Sequence, residues 1–350
     1  METKFMKGND AIAEAAVLCG CRYFFGYPIT PQNEIPEYMS WRLPEVGGAF
    51  VQAESEVAAI NMVYGAAGAG GRVMTSSSSP GISLKMEGVS YIAGADLPCV
   101  IVNIVRAGPG LGGIQPSQSD YFQATKGGGH GDYHCIVYAP STMQEAVDLV
   151  QLSFDKADEY RMPVMMLGDG LLGQMMEPVT IGEKTPIAVD KSWAATGWDD
   201  KSRPRAVINS LSLDPYELEQ QNIQRQAKYQ HVRENETMYT TVNAENCDIL
   251  VVAYGSMARI MRTVVEDIQG VNVGLFCPLT LWPFPEKELA ALAKGKKAVV
   301  CVEMSAGQMV EDVKLAVMNA APVHFYGRMG GVVPTAEEIG EELIKIQEGL

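Results

Sequence analysis

Short apolar and β-prone runs alternate with helical patterns through the first 170 residues, and this alternation constrains the fold more than any other feature. The runs typical of strands are RYFFGY at 22–27, RVMT at 72–75, PCVIVNIV at 98–105 and PVMMLGDG at 163–170. Apolar spacing predicts helices around them at about 8–19, 54–68, 82–94 and 142–157. Repeated strand–loop–helix units of this kind predict an α/β fold, a parallel sheet with helices on both faces.

The strand–helix pattern loosens near residue 180 and resumes near 247 with CDILVVAYGS, VNVGLFCP and AVVCVEMS. Between these regions lie tryptophans, prolines, Asp199, Asp200 and a charged run that indicates a polar helix. We therefore predict a first domain over 1–180, a linker or extension over 181–244 and a second α/β domain over 245–350.

Unusual loops follow several predicted strands of the first domain. They are Tyr27–Pro31, Ser76–Gly81 and the glycine-rich Ala107–Gly113. Ligands of open parallel sheets bind beyond the carboxyl ends of the strands, so we expect a binding site where these loops meet.

Three residues in or near these loops are candidates for ligand contacts, and each has a structural alternative. Thr30 lies between two prolines, in either a ligand-orienting loop or a proline-stiffened turn. Glu54 and Glu56 begin a predicted helix, where the helix dipole alone favours acids; Glu56 falls on the apolar side and Glu54 on the solvent side. Arg106 ends a buried strand, where it would hold an anion or lie at the surface.

Two glycine motifs do not support the functions that they suggest. Gly108, Gly110 and Gly113 spell GxGxxG after a strand, but Pro116 and polar residues follow where a dinucleotide fold needs a helix. Gly168-Asp169-Gly170 would begin the metal–diphosphate motif of thiamine enzymes, which also requires an Asn-Asn pair. The sequence contains no such pair.

Histidines and cysteines give little indication of a metal. His130 and His134 lie in a glycine-rich segment without the spacing of a helical zinc motif; His130 is better placed to assist proton transfer. The seven cysteines form no CxxC pair, so we expect buried thiols rather than an iron–sulfur cluster in this chain.

Charge and hydropathy exclude two classes of partner. The net charge of −15 argues against nucleic acid and against an anionic membrane surface. No apolar run reaches the roughly 18 residues of a transmembrane helix, and the N-terminus lacks the pattern of a signal peptide. We expect a cytoplasmic protein.

An ordered series of motifs resembles the α-type subunit of 2-oxoacid:ferredoxin oxidoreductases, in particular of the type that acts on 2-oxoisovalerate. The motifs extend from about residue 5 to 335, nearly the whole chain. They are GYPITPQNEIPEY, QAESEVAAINMVYGAAGAG, TSSSSPGISLKMEG, RAGPGLGG with QPSQSDYFQATKGGGHGD, and YGSMAR followed by VGLFCPLTLWPFP.

The resemblance implies a fold and a shared cofactor site. The first domain would be the pyrimidine-binding type of thiamine diphosphate fold, and the second would be similar to the transketolase C-terminal domain. Glu56 would bond to the pyrimidine N1′, while Thr30 and Arg106 would hold the 2-oxoacid carboxylate. The other residues that the resemblance places near the cofactor are Tyr27, Pro28, Ile29 and Ser78.

The resemblance also implies partners. A diphosphate-binding β-type subunit would hold the diphosphate and Mg²⁺, a ferredoxin-like subunit would hold iron–sulfur clusters, and a γ-type subunit would complete the complex. The reaction would be oxidative decarboxylation of 2-oxoisovalerate to an acyl-CoA, with coenzyme A as cosubstrate and ferredoxin as acceptor.

Three alternatives remain open at this point. The same chemistry could act on 2-oxoglutarate, pyruvate or an aryl pyruvate. The chain could be a non-catalytic scaffolding subunit with vestigial site residues. A stand-alone NAD enzyme is disfavoured by the context of the GxGxxG motif.

Overall fold

The computed structural model describes residues 2–198 and 204–350, and it contains the predicted parallel α/β architecture. The helices and strands of the first half, in chain order, are β1 (Glu2–Lys7), α1 (Gly8–Leu18), β2 (Tyr23–Gly26), α2 (Glu34–Glu45), β3 (Ala49–Gln52), α3 (Glu56–Gly68), β4 (Val73–Ser77), α4 (Pro80–Gly94), β5 (Cys99–Val105), α5 (Tyr121–Thr125), β6 (Ile136–Tyr138), α6 (Met143–Tyr160), β7 (Pro163–Asp169), α7 (Gly170–Gln174) and β8 (Met176–Ile181).

The second half continues the strand–helix alternation after one long helix. Its elements are α8 (Pro215–Asn235), β9 (Tyr239–Val242), β10 (Ile249–Val252), α9 (Gly255–Asp267), β11 (Val273–Pro278), β12 (Thr280–Trp282), α10 (Glu286–Ala293), β13 (Ala298–Glu303), α11 (Met309–Val317), β14 (Val323–Gly327) and α12 (Ala336–Glu348).

A larger sheet carries the first half of the chain. Its strand order is β12-β6-β7-β5-β4-β2-β3, and all neighbours are parallel except β12, which runs antiparallel to β6. Strands β5 and β7 are buried along their whole length because helices cover both faces of the sheet.

A smaller sheet carries the second half, in the order β14-β13-β10-β11-β9. Strand β9 lies inside the segment that we predicted as a linker, and it pairs with β11. Strand β12 crosses back to the larger sheet, so the two halves share a strand. The domain division remains a prediction, and residues 199–203 of the predicted linker lie outside the described residues.

One helix, α2, was not predicted from the sequence, because Pro36 and Pro44 interrupt its pattern. Pro36 lies in the first turn, where backbone N–H groups have no intrahelical partner. Helix α1 begins after Lys7, which makes no side-chain capping hydrogen bond, and the Asn9 amide donates to the Pro31 carbonyl oxygen at 2.9 Å.

Buried thiols and helix lengths agree with the sequence-based expectations. All seven cysteines are buried and unpaired. Within residues 2–198 and 204–350, no helix combines the length and the hydropathy needed to span a bilayer.

Candidate functional site

The predicted loops meet at one edge of the larger sheet. Strands β5, β4, β2 and β3 are consecutive neighbours in that sheet and run parallel. Their carboxyl ends lead into Arg106, the Ser77–Ser79 turn, the Tyr27–Pro31 loop and the start of α3 at Glu56. The topology therefore brings together residues that are up to about 80 positions apart in the sequence.

Gln32 anchors the loop Tyr27–Pro31 to the larger sheet. The sequence analysis did not identify this residue. Gln32 is fully buried, and its backbone N–H donates to the Ile29 carbonyl while its side-chain amide donates to the Tyr27 carbonyl. The Ser76 hydroxyl at the end of β4 donates to the Gln32 side-chain oxygen. These bonds tie the loop to the sheet and leave Tyr27, Pro28 and Thr30 exposed.

Thr30 lines an open cleft of about 440 Å³ beside the glycine-rich loop. Ile114 and Gln115 of that loop also line the cleft, as do Leu171 and Gln174 of α7. No helix follows the GxGxxG glycines, as we expected from Pro116; the loop folds back instead, with Ala107 donating to the Gln115 carbonyl. The cleft therefore has the size for a small carboxylic acid, and the Thr30 hydroxyl is accessible from it.

Arg106 joins this loop to Thr30. Its side chain is 7% exposed, and Nη1 donates to the Thr30 carbonyl at 3.0 Å while Nη2 donates to the Leu111 carbonyl at 3.1 Å. The buried Nε has no hydrogen-bond partner among the described residues. A guanidinium carries five N–H donors, so these two hydrogen bonds do not use all the donors of Arg106.

Glu56 begins α3 and is 6% exposed, whereas Glu54 is exposed. Ser55 caps the helix by accepting from the Ala58 N–H at 3.1 Å. Glu56 therefore does not serve as the cap, and its carboxylate accepts no hydrogen bond from any described residue. Its oxygens are not among the fully buried atoms that lack a partner, so the carboxylate opens onto space from which water or a ligand can supply a donor.

A notch at Gly81 accommodates the Glu56 carboxylate against α4. A Cβ atom at Gly81 would lie 2.6 Å from Glu56 Oε1 and 2.1 Å from Ser77 Oγ. The hydroxyls of Ser77 and Ser78 are buried without hydrogen-bond partners among the described residues. The unpaired hydroxyls and the unpaired carboxylate thus lie around the same turn of the chain.

The cluster formed by Glu56, Ser77, Ser78 and Gly81 is linked to Arg106 by Ser79, the next residue of the turn. The Ser79 hydroxyl contacts both the backbone N–H of Arg106, at 3.0 Å, and its carbonyl, at 3.1 Å. Ser79 has a φ of 20°, a strained backbone conformation that the hydrogen bond from its N–H to the Asn103 side chain helps to hold.

The same asparagine side chain contacts a buried acid. Asn103 donates to the Asp120 carboxylate at 2.9 Å, and burial raises the pKa of Asp120.

A buried lysine lies under this cluster. Lys85 of α4 is 0% exposed, and its ammonium donates to the Thr75 hydroxyl at 2.7 Å and to the Ser76 carbonyl at 2.9 Å. Burial lowers the pKa of Lys85 to about 7, and the attraction of Glu56 opposes that shift.

His130 is not part of this cluster. Its backbone N–H donates to Ser90 at 3.0 Å and its ring contacts Tyr91, near the C-terminal end of α4. Gly81 marks the opposite end of that helix, roughly 13 Å away along the axis. A catalytic role for His130 stays a prediction without support from contacts within this chain.

Asp169 of the GDG triplet has a structural use. Its carboxylate caps α7 through the Leu171 and Leu172 N–H groups and accepts from Ser256 at 2.8 Å, joining the two halves of the chain. These contacts agree with our rejection of a metal–diphosphate motif at this triplet.

The chemistry of the cluster suits a polar ring. The Glu56 carboxylate has no hydrogen-bond donor among the described residues, and Gly81 leaves the space in which that carboxylate lies. Ser77 and Ser78 carry buried hydroxyls without partners in the described part of the chain. A carboxylate and hydroxyls can pair with ring nitrogens and amino groups, but they carry no positive charge for phosphate oxygens.

Two protein-family models together match residues 14–339, almost the whole chain. Residues 14–247 match the family model described as pyruvate flavodoxin/ferredoxin oxidoreductase, thiamine diphosphate binding. Residues 247–339 match the pyruvate:ferredoxin oxidoreductase core domain II. The first match contains all the residues of the cluster.

Two similar proteins align with nearly the whole of this chain. Ketoisovalerate oxidoreductase subunit VorB of Methanothermobacter thermautotrophicus is 48% identical, over 99% of this chain and 98% of that protein. The 2-oxoglutarate synthase subunit KorA of the same organism is 35% identical, over 99% of each.

A solved structure shares the fold. The 2-oxoglutarate:ferredoxin oxidoreductase from Magnetococcus marinus, with 2-oxoglutarate, coenzyme A and succinyl-CoA bound, superposes with a TM-score of 0.88 at 26% identity. It covers 98% of this chain, and this chain spans 65% of that longer one. The chain belongs to the pyruvate flavodoxin/ferredoxin oxidoreductase family and is a subunit of a 2-oxoacid:ferredoxin oxidoreductase.

Proposed function

We propose that this chain supplies the pyrimidine-side half of a thiamine diphosphate site in an enzyme that oxidatively decarboxylates 2-oxoisovalerate. The observation that carries the proposal is the Glu56 carboxylate, which is buried against the Gly81 notch without a hydrogen-bond donor from any described residue. A carboxyl group left in this state is matched to a ligand ring nitrogen with which it can share one proton.

Glu56 would hold a proton shared with the pyrimidine N1′, at the base of the half-site. The flanking residues Tyr27, Pro28, Ile29 and Ser78 would contact the same ring from the loop and the serine turn. When bound, thiamine diphosphate supplies the electron sink for loss of CO₂.

Thr30 and Arg106 would hold the carboxylate of the 2-oxoacid. Thr30 lines the cleft, and Arg106 donates to the Thr30 carbonyl, so the guanidinium is held beside the Thr30 backbone. A guanidinium fork matches a planar carboxylate better than an ammonium does.

Partner subunits would complete the site. A β-type subunit would bind the diphosphate and Mg²⁺, and ferredoxin-like and γ-type subunits would carry electrons and help to bind coenzyme A. The relatives in support are themselves named as subunits, and the superposed structure binds coenzyme A. The missing Asn-Asn and CxxC pairs agree with this division of labour.

The choice of 2-oxoisovalerate rests on the 48% identity to VorB against 35% to KorA. A competition assay of 2-oxoisovalerate against 2-oxoglutarate, scored by viologen reduction in the complete complex, tests this choice. Preference for 2-oxoglutarate would overturn the substrate assignment and leave the half-site unaffected.

The Glu56→Gln variant tests the half-site. We expect turnover of the reconstituted complex to fall by about 10²–10⁴-fold, the usual contribution of a positioned acid–base group. Glu54→Gln is the matched control, because Glu54 is two positions away and exposed. Normal assembly with near-normal turnover of Glu56→Gln would sink the assignment.

A second experiment tests whether the site is half of a pair. Calorimetric titration of the full chain alone with thiamine diphosphate should give weak binding or none, whereas the assembled complex should bind. Tight binding by this chain alone would contradict the division between subunits.

A further inference from the structure

Gln118 connects the two halves of the chain through four hydrogen bonds. Its side chain is 2% exposed and uses both ends of its amide: Nε2 donates to the Tyr254 carbonyl at 2.8 Å, and Oε1 accepts from the Met304 N–H at 3.0 Å. Its backbone N–H donates to the Met304 carbonyl at 2.9 Å, and its carbonyl accepts from the Tyr254 hydroxyl at 3.2 Å. Tyr254 and Met304 follow β10 and β13, two neighbouring strands of the smaller sheet. Gln118 is therefore bound at the carboxyl ends of those strands.

Gln118 also lies at the end of the glycine-rich loop that begins after Arg106. Arg106 forms an isolated bridge with Pro116, two residues before Gln118, so the chain returns beside its own start. Both ends of the loop are buried, whereas residues 108–115 between them are exposed. The exposed part contains four glycines and consists of turns and irregular chain, so its position depends on how the two ends are held.

A loop of the second half also contacts the glycine-rich loop directly. Gly331, which lies between β14 and α12, approaches so closely that a Cβ at this position would lie 2.4 Å from the Gln115 Cβ and 3.4 Å from the Ala107 Cβ. Its φ is 91°, a left-handed conformation that glycine adopts without strain. The second half therefore holds the glycine-rich loop at two places, Gln118 and Gln115.

The glycine-rich loop in turn holds the guanidinium of Arg106. Nη2 donates to the Leu111 carbonyl, in the middle of the exposed part, and Nη1 donates to the Thr30 carbonyl. A shift of the Leu111 carbonyl would remove or redirect one of the two bonds that orient the guanidinium. The position of Arg106 therefore depends on contacts that the second half makes.

We propose that the second half of the chain positions Arg106 for the 2-oxoacid carboxylate, with Gln118 as the positioning residue. A glutamine suits this role because one side chain supplies both the donor for Tyr254 and the acceptor for Met304. Loss of the amide would leave two buried backbone groups without partners and release the end of the glycine-rich loop. The use of Arg106 rests on the function proposed above, whereas the attachment of the loop is a property of the chain.

Hydrogen exchange of the full chain tests the attachment. Gln118→Met keeps the length of the side chain and removes both amide bonds, so we expect deuterium uptake over residues 107–116 to become faster by about tenfold or more. Gln308→Met is the matched control. Gln308 also joins the two halves with both ends of its amide, to the Ser119 carbonyl at 2.7 Å and the Phe122 N–H at 2.8 Å, but beyond the loop. Unchanged uptake over 107–116 in Gln118→Met, or an equal increase in Gln308→Met, would overturn the proposal.

Steady-state kinetics of the reconstituted complex test the effect on the substrate. Gln118→Met should raise the KM for the 2-oxoacid by about tenfold or more, because a small misplacement of a group that orients the substrate is costly. The KM for coenzyme A should not change, and Gln308→Met should leave both values as they are. A purely structural role would lower the amount of active complex, and with it kcat, without raising the KM for one substrate alone. An unchanged 2-oxoacid KM in a folded Gln118→Met complex would contradict the positioning role.

Gly331→Ala tests the same role with all the bonds of Gln118 intact, and it serves if Gln118→Met does not fold. The added methyl group must displace Gln115, so the glycine-rich loop should shift and the KM for the 2-oxoacid should rise. A normal KM in this variant would also count against the proposal.

The proposed function fails on different results. Near-normal turnover of Glu56→Gln would sink the half-site and leave the exchange and KM results of Gln118→Met untouched. A normal 2-oxoacid KM in Arg106→Met would remove both the carboxylate assignment and the positioning role that rests on it.

Discussion

Two glutamates, Glu56 in the first half of the chain and Glu303 in the second, are both buried near the start of a helix, and their surroundings differ. Glu303 ends β13, and its carboxylate accepts from the backbone N–H groups of Gln308, Met309 and Val310 at 3.0–3.2 Å. The Ser305 hydroxyl adds a fourth donor at 2.9 Å. Glu56 has no donor among the described residues and has Lys85 as its charged neighbour.

The difference separates a structural carboxylate from one that is available to a ligand. At Glu303 the protein supplies hydrogen bonds that compensate for burial, so the charge fixes the loop that leads into α11. At Glu56 the described residues supply no hydrogen-bond donor and leave a glycine notch, so the carboxylate remains able to accept a hydrogen bond from a ligand. Burial alone would not distinguish the two, because Glu303 is 0% and Glu56 is 6% exposed.

The largest expected effect is a difference in stability between the variants Glu303→Gln and Glu56→Gln. Glu303→Gln should lower the free energy of unfolding by roughly 3 kcal/mol or more, because three N–H groups and a hydroxyl lose a charged acceptor. Glu56→Gln should change it by less than about 1 kcal/mol, because no hydrogen bond is lost and Lys85 can release its proton. Urea unfolding of the full chain measures both. Equal losses would show that Glu56 is structural as well.

Much of the first site could be predicted from the sequence, because it depends on local patterns. The strand–helix alternation predicts the sheet edge, the two prolines predict the loop around Thr30, and helical spacing places Glu56 on the buried side of α3. Glu303 could not be predicted as a structural carboxylate. Its backbone donors are Gln308 and the first two residues of α11, five to seven residues later, and periodicity does not show that the loop before α11 turns them back onto Glu303.

The parts of the candidate site that sequence reasoning missed depend on contacts between distant residues. Gly81 meets Glu56 across 25 positions, and Ser76 meets Gln32 across 44. Strand β12 joins the larger sheet from the second half of the chain, a pairing that periodicity cannot reveal. Lys85 appears in an ordinary helical pattern, and only its burial beside Glu56 distinguishes it from a solvent-exposed lysine.

Two serine substitutions, one beside each glutamate, test the same difference between Glu303 and Glu56 with smaller expected changes in stability. Ser305→Ala removes a hydroxyl that donates to the Glu303 carboxylate and should cost about 1.5–3 kcal/mol, the usual range for a hydrogen bond to a charged group. Ser77→Ala removes a buried hydroxyl without a partner in the described chain and should be neutral or stabilising by about 1 kcal/mol. Urea unfolding again supplies the measurement. A clear loss of stability in Ser77→Ala would indicate a partner for Ser77 and weaken the case for an open site.

A substitution at Gly81 tests the space around Glu56 rather than its charge. Gly81→Ala places a methyl group 2.6 Å from Glu56 Oε1 and 2.1 Å from Ser77 Oγ, so one of them must move. Overpacking of this kind costs about 1–3 kcal/mol, and it should reduce turnover of the complex by displacing the carboxylate.

Gly65→Ala in α3 is the control for that substitution. It meets no atom within 4 Å, and it should stabilise the chain by roughly 0.5–1 kcal/mol because alanine favours a helix more than glycine does. Thermal melts and turnover of both variants separate the effects. If Gly81→Ala kept full turnover, the space at Gly81 would matter only for packing. The position of the Glu56 carboxylate beside Gly81 would then not be required for the reaction.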